Sequence, residues 1–86
     1  MNGVVGVETK LKMVIDPGKM MDVPSEKIEQ VIGQIVWRFS RWNCDELTIS
    51  NDRENNLVCV FSWEGKIKLV LGAIWRSANQ EFTFHS

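Results

Sequence analysis

Between Ser25 and Trp42 the apolar residues Ile28, Val31, Ile32, Ile35, Val36, Phe39 and Trp42 recur on a three-and-four spacing. Glu29, Gln30, Gln34, Arg38 and Arg41 fill the positions between them. That spacing puts the apolar set on one stripe of an α-helix. Val31, Ile35, Val36 and Phe39 are indifferent helix formers, and Gly33 costs about 1 kcal/mol against Ala, so burial of the stripe must hold the helix. Seven apolar side chains at about 1.5–3 kcal/mol each are enough.

Elsewhere the pattern has period two, as half-buried strands do. In Val4 to Ile15, Val5, Val7, Thr9, Leu11, Met13 and Ile15 share one face, and Glu8, Lys10 and Lys12 the other. Further strands are expected over Glu46–Ser50, Leu57–Ser62, Ile67–Arg76 and Glu81–His85. Leu57–Ser62 is apolar on both faces apart from Ser62, which suggests a central strand. The reading is α+β: a single helix packed on one face of an antiparallel sheet of about five strands, in the order β-α-β-β-β-β. This order is similar to that of cystatin-like folds. The hairpin after the helix has no Gln-x-Val-x-Gly motif, so the likeness is one of element order and implies no activity.

The connections carry their own signals. Asp16-Pro17-Gly18-Lys19 fits a type II turn with Gly18 at positive φ. Ser25 is expected to cap the helix start from just after Pro24, and Asn43 to end it in the left-handed conformation. Glu26 and Glu29 suit the positive end of the helix dipole, Arg38 and Arg41 the negative end. A two-residue loop at Glu64-Gly65 would set Phe61 against Lys68 and mix the faces. A three-residue loop, Trp63-Glu64-Gly65, instead pairs Phe61 with Ile67, Cys59 with Leu69 and Leu57 with Leu71. A loop at Asn51–Asn55 would pair Ile49 with Leu57 and Leu47 with Cys59. A four-residue loop at Ser77–Gln80 pairs Trp75 with Phe82 and Ala73 with Phe84. Trp63 is then exposed at a turn, and Trp42 and Trp75 are buried.

Composition narrows the class. At 86 residues, the chain is read as a single domain, 1–86, with one modest core. Ten Lys and Arg face eleven Asp and Glu, so there is no surplus positive charge to drive nucleic-acid binding. No signal-peptide pattern and no apolar run near the length of a membrane span is visible, so neither export nor a membrane role is expected. Cys44 and Cys59 are too few for a disulfide framework and read as reduced thiols in a cytoplasmic protein.

Chemistry-bearing residues are sparse. The lone histidine, His85, is penultimate, where chains usually fray. Cys59 points inward as a small hydrophobe, and Cys44 lies at a helix end that does not lower its pKa. Asp45 and Glu46 face opposite ways on a strand. Gly18-Lys19 lacks the rest of a phosphate loop. No catalytic residue, cofactor or metal site is assigned, and the chain reads as a non-enzyme.

Two surfaces remain. Trp37 stands off the apolar stripe among Gln30, Gln34 and Arg41, which is the composition of an interface hot spot. Val58, Val60, Val70 and Ile74 lie on the sheet face away from the helix, with Lys10, Lys12, Lys66, Lys68 and Arg76 around them. An apolar centre with a charged rim suits a subunit interface. Val58 and Val70 are expected to be cross-strand neighbours at the centre of a two-fold homodimer. The functional expectation is a non-enzymatic protein-interaction module: a small cytoplasmic adaptor, inhibitor or accessory subunit that self-associates. The alternative is a weak nucleic-acid-binding module using the lysine-rich sheet face and Trp63.

Overall fold

A computed structural model describes residues 10–86. The elements follow in the expected order: β1 Lys10–Val14, α1 Ser25–Arg41, β2 Glu46–Asn51, β3 Leu57–Trp63, β4 Lys66–Arg76 and β5 Glu81–His85. A short 3₁₀ helix, Pro17–Met20, lies between β1 and α1. The part of the expected first strand before Lys10 lies outside the described residues.

The five strands form one sheet in the order β1-β2-β3-β4-β5. It is mixed rather than wholly antiparallel, because β1 runs parallel to β2, with Leu11 beside Leu47 and Met13 beside Ile49. The cause is topological. A single helix between neighbouring strands carries the chain back to the end of the sheet where it began, so the second strand must run like the first. The remaining neighbours are antiparallel.

The core lies between α1 and one sheet face. Leu47, Ile49, Leu57, Cys59, Phe61, Leu71, Ala73 and Trp75 come from the sheet, and Val31 and Ile35 from α1. Met20 and Val23 close it from the segment ahead of the helix, and Ile28, Ile32 and Phe39 pack against it from the edge of the helical stripe. The helix lies nearest β5, where the Arg38 guanidinium sits 4.2 Å from the Phe84 ring centre. At the opposite edge, Leu11 and Met13 remain about half exposed beside buried Leu47 and Ile49.

Both helix caps differ from expectation. Ser25 is the first helical residue, and Pro24 occupies the cap position with no side-chain hydrogen bond. The Pro24 carbonyl accepts from Lys27 and Ile28 instead. At the other end the chain turns extended at Trp42, whose N–H donates to the Arg38 carbonyl, so Asn43 is not a left-handed cap. Leaving the helix there, Trp42 leans on Phe61 with ring centres 4.8 Å apart and stays 38% exposed rather than buried. The turn after β1 is not type II. The Asp16 carboxylate accepts from the Gly18 N–H, and the Asn51 side chain bonds both the N–H and the carbonyl of Asp16.

Register is where sequence and structure part most clearly. Strands β3 and β4 are joined by the two-residue turn Glu64-Gly65, with φ of 49° and 80°, and Trp63 pairs with Lys66. Both central residues have positive φ, as a type I′ hairpin turn requires. Ser62 pairs with Ile67 but Phe61 pairs with Leu69, so Lys68 is an extra residue. This bulge restores the alternation that the short turn alone would have reversed. Asp45 anchors the turn: its carboxylate accepts from the Glu64 N–H at 3.1 and 3.3 Å. Its main chain donates to Ser62 and accepts from Lys10. Between β2 and β3 the pairing is Ile49 with Cys59 and Leu47 with Phe61, two residues from the expected one. Between β4 and β5 it is Trp75 with Phe82 and Ala73 with Phe84, as the pattern predicts.

Candidate functional site

The side chains singled out in the sequence fall on opposite sides of the molecule. Gln34, Trp37 and Arg41 stand on the outer face of α1, and all three are exposed. Val58, Val60, Val70 and Ile74 share the sheet face turned away from the helix. Trp63, on neither surface's centre, ends β3 and is half-buried rather than exposed.

The outer helix face follows from the same 3.6-residue period that builds the core. With Val31 and Ile35 directed inward, Glu26, Gln30, Gly33, Gln34, Trp37 and Arg41 come out on the opposite side, all exposed. Trp37 is 59% exposed, and the Arg41 guanidinium lies 4.5 Å from its ring centre. A cation over an indole face one helical turn away orders both side chains. Beside them, Gln30, Gly33, Gln34, Trp37 and Arg38 line an open concavity of about 490 Å³. A smaller hollow of about 200 Å³ adjoins it through Gln30 and Gln34, and reaches Glu81 and Phe82 of β5. A Cβ added at Gly33 would meet nothing within 4 Å. Packing among the described residues therefore gives no reason for a glycine in the middle of this helix, where it costs about 1 kcal/mol against Ala.

The open sheet face is less apolar than its valines suggest. Val60 pairs with Val70, while Val58 stands opposite Gly72 and not Val70. Thr48 and Ser50 lie beside these valines on β2, and Thr83 beside Ile74 on β5. Val58, Val60 and Ile74 are already half-buried among their neighbours, leaving Val70 the most open of the four at 46%. Lys10 and Lys12 share this face on β1, in register with Glu46 and Thr48, and Arg76 shares it on β4, in register with Glu81. Lys12 lies 3.5 Å from Glu46, Lys66 is the partner of Trp63 across the turn, and Lys68 is near enough to Cys44 to act on its ionisation.

The remaining chemistry-bearing groups stand apart. His85 is not frayed: it belongs to β5, opposite Gly72, and its Nε2 lies 3.4 Å from Arg76. Arg76 also donates to the Thr83 hydroxyl. The Cys44 and Cys59 thiols are both free. Burial pushes Cys59 up to about 11. It also raises Cys44, against a smaller opposing effect of Lys68. Activated thiols are shifted the other way. Among the described residues no three His, Cys, Asp or Glu side chains converge as a metal site. No helix there is long and apolar enough to cross a membrane.

Compared with protein-family models, curated proteins and solved structures, the chain matches none.

Proposed function

We propose that this protein is a non-enzymatic protein-interaction module, an adaptor or accessory subunit of the cytoplasm, that binds through the outer face of α1. The observation that carries the reading is Trp37. A tryptophan 59% exposed, ordered by a stacked arginine and flanked by an open concavity, matches the residue types and shape of interface hot spots. Trp buries a large surface at modest entropic cost, and neighbouring Gln30 and Gln34 supply amide donors and acceptors for a polar rim. The free thiols suit a reducing compartment. The open sheet face is the second candidate surface, with Thr48, Ser50 and Thr83 set among its valines.

The test is a comparison of immobilised wild type, Trp37→Ala and Val70→Lys as baits. Proteins retained by wild type and Val70→Lys but lost from Trp37→Ala are the expected result. Retention that is unchanged by Trp37→Ala and lost with Val70→Lys would move the site to the sheet and overturn this reading.

A further inference from the structure

Resting on the reading of the outer α1 face as a binding surface, we infer that its occupant is a second copy of the same chain, docked helix against helix in antiparallel register. Three features of one face agree on this. The first is its charge order. On this face Glu26 stands at the N-terminal end and Arg41 at the C-terminal end. A two-fold axis passing between Gly33 and Gln34 sets each Glu26 opposite Arg41 of the second copy. This pair is attractive and occurs twice, while Glu29 and Lys27 lie on the two flanks of the face. A parallel arrangement would set like against like.

The second feature is Gly33. It falls next to the axis, where two helices approach closest, and it is the one position on this face with no side chain to hold them apart. Its surroundings are empty among the described residues, and close approach of another backbone is a role such a glycine fills. The third is the fit of Trp37. The same axis places each Trp37 opposite Gln30 of the second copy, on the floor formed by Gln30, Gly33 and Gln34. One helix pair of about 26 Å buries less than a standard interface, so the association is micromolar or weaker.

Sedimentation equilibrium of the full chain, from low micromolar to millimolar concentration, tests this. Wild type is expected to pass from monomer to dimer mass. Glu26→Arg alone, and Arg41→Glu alone, should each weaken the dimer about ten-fold, because the change is felt at two symmetric pairs. The double substitution re-creates the attraction and should bind more tightly than either single variant, short of wild type because the Arg41 stack on Trp37 is lost. Both positions are exposed, and helical circular dichroism confirms that each variant is folded. A wild type that stays monomeric at millimolar concentration, single reversals without effect, or a double variant that is not rescued would each overturn the self-docking. A monomeric wild type whose bound proteins are still lost in Trp37→Ala would overturn the second copy as occupant and leave the interaction reading standing.

Discussion

Replacing Glu64 by Asn should stabilise the protein, and the size of the gain reports the geometry of the β3–β4 turn. Glu64 sits at φ 49° and Gly65 at φ 80°. An L-residue with a long side chain in the left-handed region costs about 1–2 kcal/mol, and Asn tolerates it far better. Asn-Gly is the preferred pair for a type I′ turn. The bond from the Glu64 N–H to Asp45 is made by the main chain and survives the exchange. The net gain is therefore about 1 kcal/mol, which raises the melting temperature of a domain this size by roughly 4–8 °C. Gly65→Ala should move the other way by about 1–2 kcal/mol, since a Cβ is strained at that φ. Thermal and urea unfolding of the three proteins measure both effects. In a three-residue turn Glu64 would be right-handed and Asn would bring nothing. A Glu64→Asn variant within about 0.3 kcal/mol of wild type would thus refute the two-residue turn and the bulge at Lys68.

Two further outcomes follow from the core. Trp75 is buried, and its Nε1 has no hydrogen-bond partner among the described residues. Trp75→Phe removes an N–H whose burial costs about 1–3 kcal/mol, so it should unfold within about 1 kcal/mol of wild type, against a loss of about 3–5 for Trp75→Ala. A loss above about 2 kcal/mol for the Phe variant would show that the indole N–H is bonded. Cys59, held near 11 when folded and near 9.0 when not, ionises first in the unfolded chain. Stability should therefore be level below pH 9 and fall by about 1–3 kcal/mol as pH rises through the folded value. Cys59→Ala, though less stable at neutral pH, should flatten that fall in urea titrations. An equal fall in both proteins would assign it to other groups.

The sequence was legible wherever side-chain parity carries the information. The helical stripe located α1, alternation sorted core from solvent, and Ser77–Gln80 set the β4–β5 register because its loop length and pattern agree. Three features left no trace in parity. A slip of two residues keeps every side chain on its face, so the Ile49–Cys59 and Cys59–Leu71 pairings could not be told from their neighbours by hydrophobicity. A bulge reverses parity within a strand, so a short turn plus the extra Lys68 reads as a longer turn and a regular strand. Strand direction is also silent in alternation; the parallel β1 follows from the single helix crossing between β1 and β2. On the outer helix face, Trp37 stood out by its angle from the apolar stripe. Gly33 did not, because the empty space around it is a property of the folded surface. Trp42 continues the stripe in sequence after the helix has ended in space, which is why it is more exposed than the pattern implies.

The most direct test is a dilution series of amide and indole spectra on isotope-labelled wild-type protein, read residue by residue. Concentration-dependent shifts are predicted at Gln30, Gly33, Gln34, Arg41 and both the amide and indole of Trp37, with Val58, Val60, Val70 and Ile74 unmoved. Shifts centred on those four sheet residues, or a spectrum independent of concentration up to the millimolar range, would contradict the assignment of α1's outer face as the self-docking surface.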